Sequence, residues 1–327
     1  MIRIAVSVGV ACTLAGASIT SADVTVSGAI YYSNTPGEYL AQYAAGPLGS
    51  IGRGVTYERF NSTESTLGAT ASGGGPGFIF SRSFVQYRLN QAFPDNPSGF
   101  GLNANSVADA VWSDIVVSGP SGPASVPFSI NVLLDGFDIL GSIGGVGGTS
   151  ANTYASFNAR INGVVAATGN YVRTVTGGGP TQTPIADGVF AGFDGSAAFE
   201  TDAVMVPVNT PFSISVQLQT YAHVDATYTQ SGTTSALMNF GDTASLATTG
   251  PAFNVPAGYT VNSAAAGVTN NVFLPCFCDW DHDGTVGSQD FFDFLARFFA
   301  ADADFNHDGT TGSQDFFDFL ACFFSGC

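Results

Sequence analysis

The chain has 327 residues, no Lys, 10% charged residues and a net charge of −17. That balance excludes a nucleic-acid partner, because affinity for phosphates comes from cations set against them and no stretch offers a basic patch. Residues 276–327 hold ten Asp and one Arg, so more than half of the net charge sits in the last sixth of the chain.

Residues 1–22 read as a secretory signal. Arg3 gives a positive start, residues 4–17 are apolar, and Thr20-Ser21-Ala22 is a small-residue cleavage site. The alternative is a buried first strand. No other segment approaches the roughly 18 apolar residues that a membrane helix needs. The mature chain is expected to be secreted or at the cell surface, with the signal removed and no transmembrane segment.

Residues 23–263 are expected to form a mainly β domain. Residues 128–134 (F-S-I-N-V-L-L) and 212–218 (F-S-I-S-V-Q-L) alternate apolar and small polar residues at the strand period. Residues 78–87, 111–117, 154–165 and 203–208 are further candidate strands. Gly/Pro/Ser clusters at 73–77, 118–123, 141–148 and 177–180 punctuate them. Short strands with such turns argue a β-sandwich or jelly roll. An echo runs through this region. Trp112-Ser-Asp followed by V-P-F-S-I-N-V is matched by Glu200-Thr-Asp followed by T-P-F-S-I-S-V. It reads equally as a duplication or as the general likeness of short strands. Residues 238–263 resemble the end of many exported bacterial β-sandwiches that carry a C-terminal sorting tag. Residues 264–275 read as a linker.

The tail carries the most specific signal. Residues 279–290 read D-W-D-H-D-G-T-V-G-S-Q-D, and residues 304–315 read D-F-N-H-D-G-T-T-G-S-Q-D. A twelve-residue calcium loop supplies oxygens from positions 1, 3, 5, 7, 9 and 12, with Gly at 6. In the first loop these are Asp279, Asp281, Asp283, the carbonyl of Thr285, and Asp290. In the second they are Asp304, Asn306, Asp308, the carbonyl of Thr310, and Asp315. Position 9 is Gly in both, so water fills that vertex, and position 12 is Asp where the EF-hand pattern has Glu. Two calcium ions are expected. His282 and His307, at position 4, are expected to point into solvent. Each loop is followed by a Phe-rich segment, F-F-D-F-L-A-R-F-F or F-F-D-F-L-A-C-F-F, with an apolar face at helical period. Phe292 and Phe299 are expected to widen that face. The unit is loop–helix twice, with no entering helix.

That arrangement resembles a dockerin module, in the form that ends with Gly-Cys on exported proteins of planctomycete-type bacteria. The resemblance covers residues 276–327. It implies that Ser288, Gln289, Ser313 and Gln314, at loop positions 10 and 11, select a cohesin-like or surface scaffold partner. Cys276, Cys278, Cys322 and Cys327 bracket the module. In an exported protein they are expected to form disulfides, with three connectivities open. A zinc set including His282 is the rival reading.

No catalytic set is assigned. Glu200 and Asp202 make the only local carboxylate pair, and a solvated strand face explains them more simply. His223 is the single His of the large domain, and no nucleophile elbow or H-E-x-x-H is present. Tyr31, Tyr32, Tyr57, Trp112, Tyr154, Tyr171 and Tyr221 form either a sugar-stacking platform or core. The reading adopted is a non-catalytic exported β-sandwich docked through a calcium-dependent tail. The alternatives are a polysaccharide-binding or polysaccharide-degrading protein with the same tail, and a calcium-stabilised structural protein without a docking partner.

Overall fold

The computed structural model describes residues 23–32, 39–45, 51–60, 64–90, 99–143, 150–176, 181–227, 231–273, 278–280, 286–300, 303, 305 and 311–325. The expected signal peptide lies outside the described residues. In chain order the strands are β1 (Asp23–Tyr32), β2 (Tyr39–Ala45), β3 (Ile51–Phe60), β4 (Glu64–Gly75), β5 (Phe78–Leu89), β6 (Gly99–Ser118), β7 (Ser125–Ile143), β8 (Ser150–Ile161) and β9 (Val164–Thr176). Then follow β10 (Ile185–Ala186), β11 (Ser196–Glu200), β12 (Val204–Pro207), β13 (Phe212–Thr227), β14 (Gly232–Leu246), β15 (Phe253–Asn254), β16 (Thr260–Asn262), β17 (Val268–Thr269) and β18 (Val272–Phe273).

They build a β-sandwich. One sheet has the order β10-β9-β8-β13-β6-β1-β2, with β16 also on β6; the other has β11-β7-β14-β5-β4-β3, with β12 and β15 on β7. The alternating segments lie in β7 and β13, which are longer than the periodic cores that announced them. The stretch 154–165, expected as one strand, is a hairpin. Asn162 and Gly163 both have positive φ (49° and 78°), the backbone of a two-residue hairpin turn. The echo falls within one sandwich: β12 pairs β7 and β13 pairs β6, so the two echoing segments lie beside each other.

The interior is divided. A large apolar cluster holds Trp112, Phe128, Phe157, Phe190, Phe240 and Phe253. A smaller one holds Ile30, Tyr87, Leu89, Leu102 and Val224. Between them the sheets face each other through hydroxyls. Ser81 Oγ on β5 donates to the Ser106 carbonyl on β6 (3.0 Å) and lies 2.9 Å from Thr220 Oγ1 on β13. Ser83 Oγ donates to the Thr220 carbonyl (3.1 Å), and Ser106 Oγ to the Ala71 carbonyl (2.8 Å). These bonds cross from one sheet to the other and satisfy groups that would otherwise be costly to bury. Short side chains keep the layer thin. At Gly68 an added Cβ would stand 2.8 Å from Ile30 Cγ2 on the facing sheet.

A second polar cluster is built on Asp138 of β7. Tyr171 Oη (2.9 Å) and Arg173 Nη1 (3.0 Å), both on β9, donate to its Oδ1, and Thr153 Oγ1 on β8 donates to its Oδ2 (3.2 Å). Burial, reinforced by the neighbouring Asp138 carboxylate, pushes the Tyr171 hydroxyl up to about 12.

Residues 264–273 correct the expected linker. Ala265, Ala266, Val268 and Phe273 are buried in the larger cluster. Asp114 accepts the amides of Ala264 (2.8 Å) and Ala265 (3.1 Å), so the segment is fastened to β6. Small residues that look like a spacer are small because they fit under the sandwich.

Two outcomes test this interior. Thr220→Val keeps the shape but leaves the Ser81 hydroxyl short of a partner. Urea unfolding is expected to show a loss of about 1–3 kcal/mol. Because the folded phenol of Tyr171 titrates above a free one, its contribution is intact below pH 10 and is lost as pH rises through about 12. A spectrophotometric titration is expected to show that late phenol in the native chain and lose it in Tyr171→Phe.

Candidate functional site

The tail builds two helices, α1 (Ser288–Phe299) and α2 (Ser313–Ser325). Each starts the same way. The Asp290 Oδ2 accepts the Gly287 amide (2.7 Å), and Asp315 Oδ2 accepts the Gly312 amide (2.6 Å). A carboxylate in the first turn thereby satisfies an amide the helix cannot reach and complements the helix dipole. Arg297 suits the last turn of α1 for the opposite sign.

The rings then pair across a pseudo-twofold axis. Phe294 and Phe319, equivalent in the two repeats, stack with centroids 3.9 Å apart and planes at 0°. Trp280 and Phe305, equivalent at loop position 2, stack at 26°. Each meets the Phe294–Phe319 pair edge-on, at 88–89°. The flanking contacts match as well: Phe291–Phe323 at 5.8 Å and 49°, Phe298–Phe316 at 5.7 Å and 47°. Offset and edge-on aromatic contacts of this kind add to the area they bury.

One feature breaks the symmetry. Cys278 is bonded to Cys322 on α2, closing the module's start against its last helix. Ala303, the repeat equivalent of Cys278, is buried, and Arg297, the equivalent of Cys322, is exposed. Cys276 and Cys327 lie outside the described residues.

Of the expected calcium ligands, the structure describes Asp279, Asp290 and Asp315, and all three are buried. Asp281, Asp283, Thr285, Asp304, Asn306, Asp308 and Thr310 lie outside the described residues. Among the described residues no three His, Cys, Asp or Glu side chains converge as a metal site. The three described members have the chemistry that calcium takes. They are hard oxygen donors, and their carboxylates are buried at the ends of the loops, a cost that calls for compensating charge or hydrogen bonds.

Ser288, Gln289, Ser313 and Gln314 are all exposed at the helix starts. Gln289 Nε2 donates to Asp293 Oδ1 (2.9 Å), and Gln314 Nε2 to Asp318 Oδ1 (2.8 Å), which lays each amide along its helix. Beside them stand residues that the periodicity placed wrongly. Phe292 and Phe317 are each 61% exposed, and Phe299 and Phe324 are 81% and 80% exposed. At about 100° per residue Phe292 and Phe299 fall some 140–160° round the helix from Phe294, so they cannot widen its packing face. Their sequence signal was the repetition of apolar residues off the packing face in both copies.

Among the described residues, Glu200 and Asp202 are not arranged as an acid–base pair. Glu200 ends β11 and accepts the Ser129 hydroxyl, while Asp202 lies in the following connection; both are exposed. His223 Nε2 lies 2.8 Å from Asp225 Oδ2, to which Ser150 Oγ also donates (3.0 Å). The carboxylate stands between hydroxyl and imidazole, and this is not the order in which a His activates a Ser. Of the aromatics weighed as a platform, Tyr57, Trp112 and Tyr171 are buried in the core, whereas Tyr31, Tyr154 and Tyr221 are partly exposed.

No protein-family model matches the chain, and no curated protein matches it.

Phe294→Ala is expected to cost about 3–5 kcal/mol, enough to unfold the helix pair while the sandwich stays folded. Near-UV circular dichroism follows the loss of ring order in the tail, and the sandwich's own melt is expected to be unchanged.

Proposed function

We propose that this is an exported β-sandwich protein held to a cell-surface or scaffold partner by its C-terminal module, in a calcium-dependent way. The observation that carries this reading is the duplicated exposed stripe. Ser288, Gln289, Phe292 and Phe299 on α1 are matched by Ser313, Gln314, Phe317 and Phe324 on α2, in residue type and in exposure. Exposed aromatic side chains are costly in water and common at the centres of interfaces. Their repetition on a module whose other rings are stacked together favours docking over a tail that only stabilises itself. The exposure of all four Ser and Gln residues supports the same choice.

The chain's own residues divide the work. Phe294, Phe319, Trp280 and Phe305 hold the helices as a pair, and the Cys278–Cys322 bond closes the module. Asp290 and Asp315 start the helices and so orient Ser288-Gln289 and Ser313-Gln314. Calcium, when bound, supplies the positive charge that offsets the loop carboxylates, so its binding contributes folding free energy. The two loops differ by one charge, because Asn306 stands where the first loop has Asp281. The first site is expected to be the tighter, and calorimetry is expected to count two ions.

Asp279→Ala with Asp304→Ala is expected to leave the sandwich folded, unfold the tail and release the protein from the envelope fraction. Replacing all four Ser and Gln residues is expected to keep calcium binding and lose only retention. Retention unchanged by both sets would leave a calcium-stabilised cap and remove the docking role.

A further inference from the structure

The outer face of the sheet that contains β13 is unlike the rest of this acidic chain. Three successive cross-strand rows running from β1 to β9, those through Asn103, Asn105 and Val107, carry no Asp, Glu, Lys or Arg. They carry amides, small hydroxyls and tyrosines instead. Asn is disfavoured in strands, so these amides are not there for strand formation.

Tyr221 on β13 and Tyr154 on β8 are direct cross-strand partners. Each is tethered by its hydroxyl to the strand beyond. Tyr221 Oη donates to Asn103 Oδ1 on β6, and Tyr154 Oη donates to Asn170 Oδ1 on β9 (2.9 Å). A phenol held down at both ends lies along the sheet, and both rings are partly exposed. The tethers run in opposite directions, so the two rings cover four neighbouring strands, a span of about 14 Å. His223 lies beside Tyr221, its ring within 12° of the same plane and 6.1 Å away, and is fixed by Asn103 and Asp225. That separation matches two residues along one strand, about 6.8 Å, and His223, like Asn103, is itself buried. Gln219 Nε2 donates to Asn105 Oδ1 (3.1 Å), which fixes that amide at the edge of the rings.

We propose that this face binds an uncharged polysaccharide chain, laid across the strands over Tyr154 and Tyr221. Flat rings complement the C–H faces of pyranoses. The Asn103 and Asn170 amides are engaged by Tyr31, Tyr221, His223, Tyr154 and Asp187. The Gln219–Asn105 pair places an Oε1 acceptor and an Nδ2 donor beside the rings, which suits paired hydroxyls. The rows carry no cation, and the charges at their margins, Asp225 beside His223 and Asp187 on Asn170, are acidic, which argues against an acidic polymer. The span asks for a chain and not a single sugar. The site is independent of the tail.

Affinity electrophoresis of the full chain in calcium tests this, with hydroxyethylcellulose, xylan, galactomannan or polygalacturonate cast in the gel. At least one of the three neutral polymers is expected to retard the protein. Tyr154→Ala and Tyr221→Ala are each expected to weaken retardation roughly tenfold. Tyr154→Phe and Tyr221→Phe, which keep the ring and release the tether, are expected to lose several-fold, and serve if an Ala variant fails to fold. Asp279→Ala with Asp304→Ala is expected to leave retardation unchanged, separating this site from the docking role. No retardation by any neutral polymer overturns the proposal. So does retardation by polygalacturonate alone, or retardation that survives in a folded Tyr154→Ala/Tyr221→Ala variant.

Discussion

The tail depends on one contact, the stack of Phe294 on Phe319. Helices of this length are marginal alone, and the loops before them carry most of the module's acid. The stack lies on a pseudo-twofold axis, and so do Trp280 and Phe305, so each repeat completes the core of the other. This explains why the aromatic positions inside the module are kept in both copies while Cys278 and Cys322 have no second counterpart. The Cys278–Cys322 bridge closes a unit whose halves already hold each other. Phe292, Phe299, Phe317 and Phe324 are left outside because they fall some 140–160° round the helix from the stacked rings.

The sandwich solves a different problem. Its two apolar clusters are separated by a layer in which Ser81, Ser83, Ser106 and Thr220 join the sheets by hydrogen bonds. Directional bonds fix how one sheet sits on the other, which apolar packing alone does less strictly. A separate polar cluster of Asp138, Tyr171, Arg173 and Thr153 joins β7 to β8 and β9. On the far side of the same sheet Tyr154 and Tyr221 are held by amides. The strands that carry the hydroxyls inward therefore carry the tethered rings outward.

Much of this was legible from sequence, and the failures have physical causes. Alternation found β7 and β13 because their inner faces are Phe, Ile, Val and Leu. It passed over β4, whose buried positions are Thr66, Gly68, Thr70, Ser72, Gly73, Gly74 and Gly75. A face that is buried through hydroxyls and missing side chains leaves no hydrophobic period. The Asn162-Gly163 turn was hidden because apolar residues continue on both sides of it. Residues 264–273 looked like a linker because small residues read as flexible until Asp114 and the core above them are known. In the tail the repeat located the helices, the first-turn carboxylates and the exposed Ser-Gln pairs. The exposed phenylalanines were legible too, had the helical angle been followed past the first apolar stripe.

The central claim is that the module docks through surfaces repeated on its two helices. Surface plasmon resonance of the full chain on immobilised native envelope, in calcium, tests it most directly with Phe292→Ser/Phe299→Ser, Phe317→Ser/Phe324→Ser and the fourfold variant. The account predicts that each double variant still binds through the untouched helix and that the fourfold variant, with its module folded, does not. Binding by the folded fourfold variant at the level of the unaltered chain would contradict it.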